Sequence, residues 1–202
     1  MSADARPLLA GFDAHRPLAW RSGSSLQALE AGRALAAARR LASSIGTRQH
    51  VIHLCEQLDH FLVGTLAALL AGTTLVLPPT RLPRTLVELR RRYPESVCLT
   101  DVASAPDDIA VGAFVDEALR GVVPAVDSWP TVPEMHPAFI LFTSGSTGAP
   151  REHLKTWGEL CDGAHCLMRS IGAPASASAI VSTVPPQHMF GLEATVMLPL
   201  LS

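Results

Sequence analysis

The chain has 202 residues, 48% of them hydrophobic and 17% charged, with a formal net charge of −2. That is enough apolar material for one sizeable core. The near-neutral balance excludes the basic footprint of a nucleic-acid or anionic-lipid binder. Arg39-Arg40 and Arg90-Arg91-Arg92 are short clusters that read as solvated helix ends. The first ten residues hold Asp4 and Arg6 and no apolar run of signal-peptide length, so a cytoplasmic setting with reduced cysteines is expected.

In chain order, Ser24-Ser25 can cap a helix running to about Leu41, with Leu26, Leu29, Leu35 and Leu41 on its apolar side. Residues 51–55 (VIHLC) read as a buried strand, 57–71 as a helix stopped by Gly72, and 75–77 as a strand ended by Pro78-Pro79. The uncharged run FLVGTLAALLAGTTLVL (61–77) is at the short end for a membrane span, which needs about 20 apolar residues. Its central Ala-Gly-Thr-Thr favours a helix followed by a strand, so no membrane span is expected. Residues 82–93 predict a helix and 97–100 (VCLT) a strand. Helices alternating with apolar strands predict an α/β fold with mostly parallel sheets covered by helices.

Residues 103–137 carry five prolines and read as a connector between a first α/β region (1–102) and a third region (138–202), with one short strand at 110–115. Then 138–142 (AFILF) is a strong buried strand and 143–151 (TSGSTGAPR) a loop. Residues 156–171 predict a helix, 174–178 a turn, 179–184 a strand stopped by Pro185-Pro186, and Gly191 a helix start. Cys161-x4-Cys166, with His165 between, has loose metal-like spacing but no second ligand pair, so no metal site is expected.

The loop's chemistry is that of an anion cradle. Ser144, Ser146 and Thr147 offer hydroxyls, and Gly145 and Gly148 let backbone N–H groups approach a ligand closely. Arg151 adds a planar cation. A loop leaving a buried strand emerges at the carboxyl edge of the sheet, where such folds bind ligands. The spacing differs from that of the common P-loop, and a plain Gly/Ser turn is the alternative reading of the same residues.

Phe142-Thr143-Ser144-Gly145-Ser146-Thr147-Gly148-Ala149-Pro150 resembles the phosphate-binding signature of the adenylate-forming, AMP-binding enzymes. These are the acyl- and aryl-CoA synthetases, peptide-synthetase adenylation domains and luciferases. Downstream, Pro185-Pro186-Gln187-His188-Met189-Phe190-Gly191-Leu192 is similar to the family's Pro-x-x-His-x-x-Gly segment. Within that superfamily the wording looks most like the synthetase-like proteins of xanthomonadin and aryl-polyene pigment clusters.

The resemblance implies the N-terminal part of the family's large domain, with the C-terminal domain absent. It implies activation of a carboxylic acid by ATP with Mg²⁺, followed by transfer to the thiol of CoA or an acyl carrier protein. Thr143, Ser144, Gly145, Ser146, Thr147, Gly148 and Arg151 would hold the phosphates. His188 would line the acyl pocket near the reacting carboxylate, with Phe190 and Gly191 shaping its wall. Arg151-Glu152 replaces the family's Lys-Gly. Glu152 would oppose a polyphosphate unless it points away, and Lys155 is a candidate compensating cation. The family's glutamate for Mg²⁺, its ribose-binding aspartate and its C-terminal lysine all lie beyond this segment. The chain alone is therefore expected to be inactive and to need a missing C-terminal half as partner. The alternatives are a non-catalytic scaffold that binds a carrier protein, and an unrelated α/β phosphate binder.

Overall fold

The computed structural model of the protein describes residues 4–11, 13–23, 25–103, 105–143, 151–172 and 179–201. The chain opens with β1 (Ala5–Pro7), β2 (Pro17–Ser22), β3 (Leu26–Glu30), α1 (Ala31–Ile45) and β4 (His50–His53). Next come α2 (Leu58–Leu70), β5 (Thr74–Val76), α3 (Pro83–Arg92), β6 (Val97–Thr100), β7 (Asp108–Ala110) and α4 (Val111–Arg120). The remainder is β8 (Thr131–Pro133), β9 (Pro137–Thr143), β10 (Arg151–Thr156), α5 (Trp157–Ile171) and a last helical run. That run begins at Met189–Gly191, is π-wound over Leu192–Met197 and ends at Leu198–Leu201.

Six strands form the central sheet in the order β10-β9-β5-β4-β6-β7. Every pairing in it is parallel except β10 on β9. The fold is thus α/β with a mostly parallel sheet. Strand alternation assigns the two faces. Val51, Leu75, Leu99, Phe139 and Leu141 enter the large core with α1, α2, α4 and α5. Their neighbours Ile52, Val76, Cys98 and Ile140 enter a smaller core under α3, with Leu89 and Tyr93. Burial of both faces is why these strands read as unbroken apolar runs. β1 pairs with β8, and β2 with β3, as separate antiparallel ribbons.

Local chemistry sets several boundaries. Gly46 and Gly72, at φ 68° and 70°, end α1 and the turn after α2. Thr156 and Glu159 form a reciprocal capping box on α5, and Gly172 closes that helix in the left-handed conformation. Pro83 opens α3, and Arg90, Arg91 and Arg92 meet the negative end of its dipole.

The structure corrects four expectations. The first helix starts at Ala31 because residues 26–30 pair with β2, leaving Leu26 exposed; Ser24 lies outside the described residues. Residues 111–115 are helical. Val111, Phe114, Val115 and Ala118 repeat at helical spacing, and α4 buries Val111, Val115 and Ala118. Residues 179–184 form no strand, and Val181 is 94% exposed. Residues 151–156 form an unforeseen edge strand. The turn expected at 174–178 lies outside the described residues. The apolar run 61–77 divides into α2 and β5. Among the described residues no helix is long and apolar enough to cross a membrane.

Candidate active site at the carboxyl edge of the sheet

Parallel strands deliver their following segments to one edge. Residues after β4 and β5, together with the Pro-Pro-Gln-His segment, enclose an open cleft of about 510 Å³. Glu56 and Leu58 come from the β4 side, Pro78, Pro79 and Arg81 from the β5 side, and His188 from the far wall. Both double prolines line it.

His188 caps the last helical run with extended backbone angles. Its N–H donates to the Pro185 carbonyl at 3.1 Å, and its own carbonyl accepts from Leu192 N–H at 2.7 Å. Gly191 packs on that turn: an added Cβ would lie 2.1 Å from the Pro185 oxygen. The His-x-x-Gly spacing is therefore a packing requirement of this turn. Gly191 is buried, whereas Phe190 is 60% exposed, and neither is among the residues lining the cleft.

β9 runs parallel to β5, so Thr143 ends at the same sheet edge. Arg151 pairs with Thr143 in register as β10 begins, and both are exposed. Thr143 Oγ1 lies 3.0 Å from His153 Nε2. Ser144, Gly145, Ser146, Thr147 and Gly148 lie outside the described residues. The structure thus brings Thr143 and Arg151 together at the edge that also carries the cleft of His188.

Glu152 points to the opposite sheet face from Arg151, as strand alternation requires. Its carboxylate accepts from Tyr93 Oη at 2.6 Å and from Arg92 Nε at 2.6 Å. The compensating cation is therefore Arg92. Lys155 sits 4.0 Å from Glu159 instead. Burial, then the bond to Glu152, pushes the Tyr93 phenol up to about 12.

A raised phenol stabilises the fold fully below the ordinary pKa of about 10, and that stabilisation is lost as pH climbs through about 12. Tyr93 is the chain's single tyrosine, so phenolate absorbance reads it directly. In Glu152→Gln the ionisation is expected to move part of the way back toward about 10, since burial persists. An unchanged titration would refute the clamp.

Between β4 and β6 the chain changes direction across the sheet: α2 leads to β5 on one side, while β6 leads to β7 on the other. Such switch points commonly receive ligands. Here Asp101 fills the place. Its carboxylate accepts from the N–H groups of Glu56 at 2.9 Å and Gln57 at 3.4 Å, and from His60 Nδ1 at 2.8 Å. His60 Nε2 lies 2.7 Å from Arg21 Nη2. Guanidinium only donates, so Nε2 accepts and the proton sits on Nδ1. Both imidazole nitrogens are engaged, and the dyad braces structure. His53 is also structural: fully buried, stacked on Phe61, with its ring pushed down to about 4 by burial.

Sequence reasoning missed Glu56, Arg81, Gln187 and Asp101. Only the Pro-x-x-His pattern could have drawn attention to Gln187. Cys161 is buried and Cys166 exposed on α5. Among the described residues no group of three His, Cys, Asp or Glu side chains is placed to hold a metal.

No match was found among curated proteins. Solved structures do match. A malonyl-CoA ligase with methylmalonyl-CoA and AMP bound aligns at TM-score 0.70 and 28% identity, over 96% of this chain and 41% of that one. The o-succinylbenzoate CoA synthetase of Bacillus subtilis, in complex with its acyl-adenylate intermediate, aligns at 0.66 and 21%, over 86% and 48%. The fatty acyl-adenylate ligase of L. pneumophila, with acyl adenylate and pyrophosphate, aligns at 0.66 and 19%, over 89% and 34%. The chain spans about half the length of the synthetase and less of the other two. The family model described as AMP-binding enzyme matches residues 29–202, and the chain belongs to the AMP-binding enzyme family.

Proposed function

We propose that the chain supplies the phosphate-loop half of an ATP-dependent acid–thiol ligase. A carboxylate oxygen attacks the α-phosphorus of ATP and pyrophosphate leaves, giving an acyl-adenylate. A thiol of CoA or of a carrier protein then takes the acyl group, and AMP leaves. In this reading the 143–151 segment holds the leaving phosphates, and His188 faces the acid in the cleft. The work is positioning and stabilisation of developing charge. The carrying observation is that Thr143, Arg151 and the cleft of His188 share one sheet edge.

The turning-away of Glu152 supports it, since the acid that replaces the family's glycine is neutralised on the other face. The Mg²⁺ that accompanies ATP has no donor cluster among the described residues, and no step is assigned to it. A role in pigment assembly belongs to this reading only through the wording of the sequence.

The test is acid-dependent ATP–pyrophosphate exchange by the purified chain, with and without a polypeptide supplying the rest of the family's fold. Exchange is expected in the mixture alone, and His188→Ala should lower it about tenfold to a hundredfold. Silence in the mixture, with folding verified, would leave a non-catalytic binding role. Undiminished exchange in His188→Ala would remove that residue from the site.

A further inference from the structure

One side chain ties the His188 wall of the cleft to the sheet. Gln187 Nε2 donates to the Cys55 carbonyl at 2.6 Å, spanning 132 positions of sequence. Only the amide nitrogen can donate to a carbonyl, so this contact fixes which way the amide points. Arg81 Nη2 donates to the same oxygen at 3.2 Å. A carbonyl has two lone pairs. Here they are taken by side chains from two different walls of the cleft. Cys55 lies two residues past the end of β4, where ladder pairing has stopped and side chains supply the donors.

Core burial anchors this wall from Leu192 onward, and Gln187 adds a polar tie ahead of that point. Residues 179–183 are exposed and outside any strand. The 185–192 turn is closed internally by His188 N–H on Pro185 and Leu192 N–H on His188. Those two bonds shape the turn but do not fix it against β4. Gln187 immediately precedes His188 and lines the same cleft, and its amide reaches Cys55, the residue before the cleft-lining Glu56.

We propose that Gln187 is a positioning residue: its bond to the Cys55 carbonyl, shared with Arg81, fixes the distance of His188 from the end of β4 and so the width of the acid cleft. The functional half of this statement rests on the reading of His188 given above. The geometric half does not. Nothing in the Pro-x-x-His-x-x-Gly pattern requires a donor at this position.

The test uses the full chain and three variants. Gln187→Leu keeps approximate shape without a donor. Gln187→Glu presents an ionised acceptor to a carbonyl, and His188→Ala assigns the His188 imidazole among the eight histidines. Proton–carbon NMR of the imidazoles is the first readout. In Gln187→Leu and Gln187→Glu the His188 signals should shift and broaden while the other histidines hold their positions. His188 signals identical to wild type in both variants would overturn the proposal, whatever the enzymology shows.

The second readout is pyrophosphate exchange in the reconstituted mixture. Gln187→Leu should lower kcat/KM for the acid about tenfold, with an unchanged melting temperature because Arg81 still satisfies the Cys55 carbonyl. Wild-type exchange with no loss in Gln187→Leu would sink the positioning role and leave acid activation standing. No exchange from wild type, with His188 displaced in the variants, would sink acid activation and leave the tie.

Discussion

Arg21→Met is expected to lower the unfolding free energy by about 3 kcal/mol. Arg21 Nε donates to Asp59 at 2.6 Å, Nη1 to Asp116 at 2.5 Å and Nη2 to His60 at 2.7 Å. One guanidinium thereby joins the β2–β3 ribbon to α2, to α4 and, through His60, to Asp101. Asp59 is only 5% exposed. Removing its partner leaves a buried carboxylate unpaired, which costs far more than the pair itself contributes. Methionine keeps the aliphatic stem, so lost packing is not the main cause. Asp116 is half exposed, so Asp116→Asn should cost less than about 1 kcal/mol. Urea unfolding gives both values from one set of midpoints. An Arg21→Met midpoint equal to that of Asp116→Asn would mean that the buried ion pair carries no special weight.

Gly191→Ala should destabilise the chain by about 2 kcal/mol. The added Cβ would meet the Pro185 carbonyl oxygen at 2.1 Å, its carbon at 2.8 Å and the Val184 oxygen at 3.2 Å. All three are backbone atoms, held beside two proline rings, and cannot move aside as a side-chain tip could. The turn must open, and His188 leaves the cleft with it. A melting temperature lower by roughly 4–8 °C is expected for a chain of this size, together with loss of pyrophosphate exchange in the reconstituted mixture. Among the described residues one atom, the Ser25 carbonyl oxygen at 3.8 Å, lies within 4 Å of a Cβ added at Gly23, so Gly23→Ala is the silent comparison. Equal melting temperatures for the two variants would contradict the packing account of the motif's glycine.

The parts legible in the sequence were those where one physical cause dominates. β4, β5, β6 and β9 announced themselves because both faces are buried. α2 did so through its apolar length and the Gly72 stop, and α3 through its charge and spacing. β10 was not legible, since an edge strand such as Arg-Glu-His-Leu-Lys-Thr has only one neighbour to satisfy and little apolar content. Residues 179–184 misled for the opposite reason: the run is apolar in composition, yet among the described residues it pairs with no strand.

Among the candidate site residues, Thr143, Arg151 and His188 could be named from the motifs, and the carboxyl-edge position of the 143–151 loop could be reasoned from topology. The network of Arg21, Asp59, His60, Asp101 and Asp116 could not. Its members lie up to 95 positions apart, and local sequence holds no trace of such pairings. The orientation of Glu152 became readable only with the register of β10 on β9.

The two double prolines at the cleft have a consequence for selectivity. Pro78-Pro79 and Pro185-Pro186 contribute two stretches of main chain, four residues in all, that carry no N–H. At those four positions the rim offers carbonyls without the amide partners that an added strand would need. Recognition at those positions therefore falls to side chains such as Arg81, Gln187 and His188, which line the same cleft.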